Sequence, residues 1–557
     1  MEASRSQFAL KLLPSLTDIA FLMPIAFLFG RMDGLATLLS DCDTGWHIRT
    51  GEWIVAHAAV PVRDLFSYSR PDAPWFAWEW LSDVIFAVLN ARGGLAAVAL
   101  FSILLVGLTS VVLFRVLRRR ASALVAVLVT MLAAAASSVH WLARPHLFTL
   151  LFTVIFYAVL ERARGGNSRR AGIGWLIGLP AVTILWTNLH GGFAVGIGMA
   201  AAFGLAELLN RLLAARPSDA SDSLTAARRY FLCAASCLAA SLVNPYGWRL
   251  HEHLLAYFRD PYAAGHIVEF FSLSFHHPMA VFFEIMLLAG AVAAVGSLGR
   301  RRFAEPLLFV AWGHLALLSV RHIPIFMILA APLVAEAADR GLARLAAADL
   351  AGWLRRLAAR LARLSASAGE TDRIARLHLA SALAVLILGL LLYAPHPPRK
   401  FKAEFDPGRY PAGAVARLAG EAGARIFTFD QWGDYLIYRL YPSTKVFVDG
   451  RSDFYGNDFE RQFLDIVSLH TGWEQTLARF AVDTVLMPPD SPLTEALKVS
   501  SRWRVAYDDG IALIFRLRPS GPGEAVSAAA GGGMSRDREV TKTQASDRSI
   551  TEWKSKT

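Results

Sequence analysis

The sequence predicts a polytopic α-helical membrane protein with about 11 transmembrane helices, followed by a C-terminal α/β domain. The chain of 557 residues is 55% hydrophobic and only 18% charged, whereas soluble proteins average about 25% charged residues. Apolar runs of about 20 residues, the length that crosses a bilayer, recur along most of the chain. Arginine clusters follow alternate runs, as expected where loops face the cytoplasm.

The apolar runs predict the transmembrane domain, which we assign to residues 1–395 with a long first outer loop, 40–94. Span one contains Arg31 and Asp33, and charges inside a span usually pair or face the bundle interior. Within the outer loop, Trp75 to Asn90 is expected to form an amphipathic interfacial helix. The predicted spans are approximately 16–39, 95–114, 122–140, 147–160, 172–187, 193–213, 230–243, 279–298, 303–320, 323–338 and 378–394.

The basic segments predict the orientation of the chain. With the N-terminus in the cytoplasm, every arginine cluster falls on the inner side and the long polar loops fall outside. This placement also accounts for the net charge of +11 without a nucleic-acid partner. The clusters are 118–120, 162–170, 211–229, 300–302 and 340–376.

Residues 396–518 alternate short β-branched runs with amphipathic segments. This alternation predicts a small α/β domain with a largely parallel sheet, on the outer side of the membrane. Residues 519–557 contain few apolar side chains and are expected to be disordered. The expected strands are 425–429, 445–449, 484–487, 503–507 and 511–517, with helices ending near 439 and spanning 458–468.

The polar segment from Asp41 to Trp53, directly after span one, contains the first candidate catalytic residues. The carboxylates of Asp41 and Asp43 have the chemistry to accept a proton from an attacking acceptor, or to bind a divalent cation through oxygen. The alternative is that one of them caps the following helix, because Asp is a favoured N-cap residue. We expect Asp43 to be the base and Asp41 to be the cap.

Five cationic or imidazole side chains at the outer ends of different spans form the second candidate set. Guanidinium and imidazolium groups suit a phosphate or pyrophosphate group, so the set predicts a site for a donor phosphate. Each residue alone is explained as readily by a long cation that reaches from a helix end to the interface. The five residues are Arg144, His146, His190, Arg321 and His322.

Ionisable residues within or near spans keep a transporter open as an alternative. Glu207, Glu284 and Glu305 would favour that function if they lined a continuous path between the two faces. A loop with several histidines, 251–277, matches no closed zinc pattern, so no zinc site is predicted.

Two short segments resemble a known family. Asp43-Thr-Gly-Trp-His-Ile-Arg-Thr50 is similar to the first outer-loop acidic motif of GT-C-fold glycosyltransferases, particularly the catalytic subunit of oligosaccharyltransferase. Phe429-Asp-Gln-Trp-Gly-Asp-Tyr435 resembles the Trp-Trp-Asp-Tyr-Gly signature of that subunit. The resemblance implies a bacterial inner-membrane enzyme that moves a sugar from a polyprenyl-phosphate-linked donor to a glycan, lipid or protein acceptor on the periplasmic face. The acceptor-binding residues that it implies are His47, Arg49, Trp432, Asp434 and Tyr435.

The chain departs from the family pattern in the outer loop after span three. Oligosaccharyltransferases have a second acidic motif there, whereas this loop reads Trp141-Leu-Ala-Arg-Pro-His146. A divalent cation would lack those oxygen ligands, so no metal and no cofactor is predicted. The sequence therefore favours a glycosyltransferase whose own cations replace a metal. A flippase of lipid-linked glycans and a non-catalytic scaffold of the same fold are the alternatives.

Reporter fusions test the predicted orientation. We expect fusions after Arg120, Arg170, Arg302 and Arg376 to be cytoplasmic, because basic loops are retained inside. Fusions after Gly94, Pro278 and Pro398 should be periplasmic. Alkaline phosphatase and green fluorescent protein fusions at each position give the measurement. An arginine cluster found on the periplasmic side would reverse the assignment from that span onward.

Overall fold

The structure, a computed structural model, describes residues 11–165, 169–260, 265–347, 352–375, 377–421 and 423–519. The predicted disordered tail lies outside the described residues from 520 onward. The described chain is mostly helical and divides into two compact units. The first, here called the helical unit, comprises Met1–Ser40, Trp78–Leu255 and Glu269–Glu404. The second, the sheet unit, comprises Asp41–Ala77, Ala256–Val268 and Phe405–Thr557.

The helices and strands are numbered in chain order through both units. The α-helices of the described residues are α1 (Leu16–Gly30), α2 (Leu35–Leu38), α3 (Asp43–His57), α4 (Trp80–Leu117), α5 (Ala123–Ser137), α6 (His146–Gly165), α7 (Arg169–Leu189), α8 (Ala194–Leu212), α9 (Pro217–Ala240), α10 (Arg249–Phe258), α11 (Ala280–Leu298), α12 (Ala304–Leu318), α13 (Ile323–Ala347), α14 (Gly352–Ile374), α15 (Leu379–Leu392), α16 (Ala412–Leu418), α17 (Asp430–Leu440), α18 (Ser452–Tyr455), α19 (Asn457–Val467), α20 (Trp473–Arg479) and α21 (Pro492–Val499). The strands are β1 (Ile426–Phe427), β2 (Thr484–Met487), β3 (Trp503–Asp508) and β4 (Leu513–Leu517).

The helical unit is that of a multi-pass membrane protein. Among the described residues, 6 helices are long and apolar enough to cross a bilayer. Shorter apolar helices lie at four further predicted spans: Leu16–Gly30, Gly174–Leu189, Ala304–Leu318 and Leu379–Leu392. Predicted span seven forms the end of α9, whose first half is polar. The total of eleven spans stays a prediction.

Span one differs from its prediction because α1 ends at Gly30. Arg31 and Asp33 lie in the turn that follows, so the placement of their charges inside a span was wrong. Gly34 has φ +63°, a conformation that glycine adopts without strain, and this allows the chain to turn into α2. Lys400 stabilises the turn by donating to the carbonyl of Met32 at 2.7 Å.

Helix α4 contains a break that separates the predicted interfacial helix from span two. Gly93 and Gly94 have non-helical backbone angles, and the Tyr393 hydroxyl donates to the Gly93 carbonyl at 3.0 Å. The interfacial helix begins at Trp80, later than predicted.

Helix α13 is the central helix of the helical unit. Every residue from Ile323 to Ala335 is buried, as expected for a helix that is apolar on all sides. It packs against α5, α11 and α12. Its two ends therefore lie among the ends of other membrane helices.

An ionic cluster lies at one end of these helices, beside Glu305, which is 1% exposed. Arg120 and Arg302 donate to Glu305 at 2.8 and 3.0 Å, and Arg164 also binds this carboxylate. Glu161 and Glu336 complete the neutralisation of the arginines. Glu305 thus joins α4, α6 and α12, because its partners come from three different segments.

The sheet unit contains a four-stranded mixed sheet in the order β1-β2-β4-β3. Strands β1 and β2 are parallel, whereas β4 pairs antiparallel with both β2 and β3. The α/β alternation predicted from the sequence is present, but the prediction of a largely parallel sheet was wrong. The reason is the short turn at Asp508 and Gly510, which makes β3 and β4 a hairpin.

The first outer loop forms part of this sheet unit. Val446 lies between two segments, as it forms parallel bridges with Ser67 and with Ile426. Helix α3 packs against α17. The sequence analysis grouped residues 40–94 with the transmembrane domain, whereas the structure places 41–77 with residues from 405 onward. Pairing between segments almost 380 residues apart has no local signature in the sequence.

Arg451 joins the two parts of the sheet unit. Its guanidinium donates to Asp64 at 2.7 Å and to both oxygens of Asp449 at 2.7 Å. All three side chains are at most 1% exposed, and Tyr455 donates a further hydrogen bond to Asp449 at 2.8 Å. The guanidinium also lies over the Trp75 ring, 4.5 Å from its centre. A buried arginine is stable here because two carboxylates and aromatic faces replace its water.

Replacement of this arginine tests its importance to the sheet unit. We expect Arg451→Met to cost about 3–5 kcal/mol of stability, because it leaves two buried carboxylates without a counter-charge. Pulse proteolysis of the purified full-length protein in urea measures the effect. Arg461→Met, at an exposed arginine, is the matched control and should change stability by less than about 0.5 kcal/mol. Equal stability of the two variants would contradict this account.

Candidate functional site

Two carboxylates converge on one glycine in the sheet unit. Asp43 is the first residue of α3, and Asp434 lies in α17. A Cβ atom placed on Gly450 would lie 2.5 Å from Asp43 Oδ1 and 2.8 Å from Asp434 Oδ2. The Gly450 backbone N–H donates to the other Asp434 oxygen, Oδ1, at 2.9 Å. Only glycine leaves room at this position for both carboxylates.

Close helix packing brings these carboxylates together. A Cβ atom on Gly433, in α17, would lie 1.9 Å from the Val448 carbonyl oxygen, so this helix touches the backbone that leads to Gly450. Glycines at helix contacts allow such an approach because no side chain separates the backbones. The predicted motif from Phe429 to Tyr435 therefore contains both the acid, Asp434, and the glycine, Gly433, that allows this acid to approach Gly450.

Asp41 lies just before helix α3 and contacts its first residue. Its side chain accepts a hydrogen bond from the Asp43 backbone N–H at 2.9 Å, which satisfies one of the free donors at the helix start. Cys42, between the two acids, is fully buried, and burial raises the pKa of its thiol well above the usual range. The contact of Asp41 with the helix start is compatible with a structural role for this residue, and the assignment of Asp43 as the base stays a prediction.

Burial is the main reason that Asp434 favours its protonated form. It raises the pKa of Asp434 well above the usual range, and the nearby negative charges of Asp43 and Asp449 raise it further. Among the described residues, Asp434 Oδ2 is buried without a hydrogen-bond partner. A proton on Asp434 leaves one negative charge in the pair. The helix N-terminus favours that charge on Asp43, because the backbone N–H groups of α3 point towards it.

The other predicted acceptor-binding residues have structural contacts. Trp432 is 3% exposed and donates to the Arg409 carbonyl at 3.0 Å. Tyr435 is buried and stacks on Tyr410, with ring centres 5.5 Å apart. The structure therefore places both aromatic residues in the core of the sheet unit, and their acceptor-binding role stays a prediction.

His47 and Arg49 also contribute to packing around α3. His47 is 1% exposed and lies against the Trp46 ring, 3.6 Å between ring centres. Arg49 donates to the Tyr438 carbonyl at 2.9 Å and to Glu52 at 2.6 Å. Arg49 thus ties α3 to α17, and the acceptor-binding role of these residues and of Asp434 stays a prediction.

The five predicted phosphate-binding residues lie together in the helical unit. Arg144 forms an ion pair with Glu269, with 2.5 Å between Nη1 and Oε1. Burial opposes the ionisation of Glu269, but the charges of Arg144 and Arg321 outweigh it and the pKa of Glu269 falls to about 2. His146 and His140 are adjacent, with ring centres 4.5 Å apart. The segments that carry these residues are neighbours at the end of the bundle opposite to Glu305, since His146 and Arg164 mark the two ends of one helix.

His190 is neutral in this cluster. Its Nδ1 accepts from the Gly192 backbone N–H at 2.9 Å and from the Thr149 hydroxyl at 2.8 Å. Its Nε2, which carries the proton, lies 3.3 Å from Glu79. Burial and the positive charges of Arg321 and Arg144 lower the pKa of His190 to about 3. The expectation of an imidazolium at this position was therefore wrong, and His190 acts as a neutral N–H donor.

Arg321 has the most available positive charge of the set. Its guanidinium lies over the Phe270 ring, 4.8 Å from the ring centre. Within the described part of the chain it forms no ion pair with a carboxylate. His322, next to it, has a buried Nδ1 without a partner among the described residues. Glu269 is paired directly with Arg144, and the charge of Arg321 also lowers the pKa of this carboxylate.

Sequence reasoning missed Glu269 and Glu79, the carboxylates that neutralise part of this cluster. Glu79 lies between two tryptophans, in Trp78-Glu-Trp80, and this was a usable signal. Glu269 follows a polar loop and is 125 residues from Arg144, so no local pattern indicates their pairing. Among the described residues, no three His, Cys, Asp or Glu side chains are placed to hold a metal ion.

The apolar helices and the sheet unit are those of a multi-pass membrane protein with an added α/β unit. Comparison with solved structures identifies its fold. The chain matches archaeal oligosaccharyltransferase AglB from Archaeoglobus fulgidus, in complex with an inhibitory peptide and a dolichol-phosphate, with a TM-score of 0.53 and 13% identity, over 85% of this chain and 69% of that chain. A second oligosaccharyltransferase structure from the same organism, in complex with Zn and sulfate, matches with a TM-score of 0.51 and 12% identity, over 85% and 68% of the two chains. ArnT from Cupriavidus metallidurans in the apo state gives a TM-score of 0.47 and 15% identity, over 89% and 97%.

These matches to oligosaccharyltransferases show that the chain has the GT-C fold of membrane glycosyltransferases. The family resemblance inferred from two short segments is thus confirmed at the level of the fold. No family model and no curated protein matches the chain by sequence.

The protonation of Asp434 predicts how stability depends on pH. Because its pKa is raised in the folded state, its contribution to stability is complete below about pH 4 and is lost as the pH rises through the folded value. We expect Asp434→Asn to show a flatter stability profile than the wild type, and to gain stability relative to it as the pH rises. Unfolding of the full-length protein at pH 5, 6, 7 and 8 gives the measurement.

The matched control is Asp458→Asn, because Asp458 has a 97% exposed side chain in the same unit. Its profile should run parallel to that of the wild type. If Asp434→Asn also ran parallel, Asp434 would be ionised in the folded protein and the account of the pair would fail.

Proposed function

We propose that this chain is a glycosyltransferase that moves a sugar from a polyprenyl-phosphate-linked donor to an acceptor at the periplasmic face of a bacterial inner membrane. The observation that carries the proposal is the Asp43–Asp434 pair over Gly450 in a chain with the GT-C fold. The AglB structure contains a dolichol-phosphate and an inhibitory peptide, which supports a lipid-linked donor for a related fold. The acceptor class is a glycan, lipid or protein hydroxyl or amide.

Asp43 is the proposed general base. The acceptor O–H attacks the anomeric carbon, so the acceptor oxygen–carbon bond forms while the bond from that carbon to the donor phosphate oxygen breaks. The acceptor proton passes to the Asp43 carboxylate, and the polyprenyl phosphate leaves as an anion. Asp434 keeps a proton in this scheme, so its neutral carboxyl group does not compete as a base. The pair then carries a single negative charge, on Asp43.

Arg321 is the proposed cation for the donor phosphate. A guanidinium binds phosphate oxygens with charge-assisted hydrogen bonds in a planar geometry. Its position over Phe270 holds it without a described carboxylate partner. Arg144, His190 and His322 act as further donors around it, with His190 contributing a neutral Nε2–H group. His146 is the remaining member of the set, and its Nε2 already donates to the His140 carbonyl at 3.0 Å.

The transporter alternative has weaker support. It needs ionisable groups along a path through the helical unit, and Glu305 is instead bound by arginines at one end. Glu207 accepts from Asn210 at 3.3 Å on its own helix. These contacts give both glutamates structural partners, so two of the three residues that the path would need, Glu207 and Glu305 but not Glu284, are accounted for in this way. A non-catalytic scaffold of the same fold stays open to the activity test below.

Substitution of the base tests the proposed reaction. We expect Asp43→Asn to lower the rate of sugar transfer by about 10²–10⁴-fold, because it preserves shape and removes basicity. The assay follows transfer from polyprenyl-phosphate-linked sugars in proteoliposomes, with the amount of folded protein measured for each variant.

Asp41→Asn is the matched control, because Asp41 lies two residues before Asp43. It should retain most of the rate, since an Asn side chain still accepts a hydrogen bond at the helix start. If Asp41→Asn abolished transfer and Asp43→Asn did not, Asp41 would be the base. If neither variant changed transfer, the scaffold or transporter function would replace the proposal.

A second test asks which group supplies the positive charge that binds the donor phosphate. We expect Arg321→Ala to raise the KM for the donor and lower turnover, with partial rescue by Arg321→Lys, because lysine keeps the charge without the planar geometry. Chelation with EDTA should leave wild-type transfer unchanged. Loss of activity on chelation that Mg²⁺ or Mn²⁺ restored would show that a metal supplies the charge.

A further inference from the structure

Helix α14 carries a basic surface that the proposed reaction does not use. Its first part, residues 352–369, contains four arginines and no aspartate or glutamate. Arg355, Arg356, Arg360 and Arg363 are all exposed. A run of exposed cations on one helix calls for an anionic partner, because like charges at helical spacing repel one another.

An exposed apolar stripe runs beside these arginines. Trp353, Leu357 and Leu364 are 61%, 48% and 63% exposed. Their spacing of four and seven residues places them on one side of the helix. Arg356 and Arg360 are also four residues apart and lie on the neighbouring side of the helix. Their guanidinium groups therefore flank the apolar stripe. This is the pattern of a helix that lies in a membrane interface.

The opposite face of α14 fixes the helix to the ends of two membrane helices. Ala358 and Ser365 are buried, and Ser365 Oγ accepts from the Leu124 backbone N–H, in the first turn of α5, at 2.9 Å. Asp372 accepts from the backbone N–H of Leu16, the first residue of α1, at 2.8 Å. The helix therefore lies where two apolar helices of the bundle begin, which is the depth of the lipid headgroups.

We propose that α14 is a binding surface for acidic phospholipids in the leaflet at this end of the bundle. The apolar stripe enters the acyl boundary, and the arginines bind headgroup phosphates through bidentate hydrogen bonds. A zwitterionic lipid would satisfy the tryptophan and leucines but would leave the excess positive charge unmatched. A layer of acidic lipid satisfies both, since it presents negative charge directly above an apolar phase.

Native mass spectrometry of the detergent-solubilised full chain, titrated with phosphatidylglycerol or phosphatidylcholine, tests this surface. We expect the wild type to prefer phosphatidylglycerol, and the triple variant Arg356→Gln, Arg360→Gln, Arg363→Gln to lose about tenfold or more of its apparent affinity for that lipid. Its binding of phosphatidylcholine should stay the same. The corresponding triple lysine variant, which keeps the charge, should retain most of the preference.

The matched control removes three exposed arginines of the sheet unit, Arg461, Arg502 and Arg504, by the same change to glutamine. It should bind phosphatidylglycerol like the wild type. The proposal fails if the α14 variant keeps wild-type affinity, or if the control loses as much. It also fails if Trp353→Ala with Leu364→Ala converts a dimer into a monomer in the same spectra, because the stripe would then be an interface between two copies.

Discussion

The sheet unit depends on the buried ion pairs of Arg451. Asp64 belongs to the first outer loop and Asp449 to the C-terminal part of the chain, and one guanidinium holds both. A charge at this depth is tolerated only when its partners are in place, so the loop and the C-terminal segment must fold together. Gly450 lies between Asp449 and Arg451, and its position over the Asp43–Asp434 pair follows from these contacts. The fold and the candidate site thus share one constraint.

This arrangement explains why two acids can occupy one small space. Two ionised carboxylates that both lie against Gly450 would repel each other in a buried environment. The repulsion is reduced because burial favours a proton on Asp434 while the helix N-terminus favours the charge of Asp43. Glycine at 433 and at 450 then removes the steric obstacle. Packing and electrostatics therefore assign different roles to two chemically identical side chains.

Short-range sequence patterns correctly predicted several elements of secondary structure. Strand 484–487 was predicted at its observed bounds, and helix 458–468 lies within one residue of α19, because alternation and amphipathicity are short-range features. The contact of Asp41 with the start of α3 followed from its position before a helix. By contrast, the insertion of Val446 between residues 67 and 426 depends on segments far apart in the chain. The motif around Trp432 and Tyr435 had a family resemblance, but burial decides which of its side chains are accessible, and burial is a property of the whole fold.

In the helical unit, the net charge of the cationic cluster could likewise not be predicted from local sequence. Five residues selected by their position at span ends do lie together, yet their net charge is set by partners that the selection did not include. Glu269 binds Arg144, and Glu79 faces a neutral His190. Once these pairs form, a site that looked strongly cationic from its sequence retains one unpaired described guanidinium, that of Arg321. If a donor phosphate binds here, as proposed, Arg321 is the cation that would fix its position. A uniformly positive cavity would attract any anion and would orient none of them.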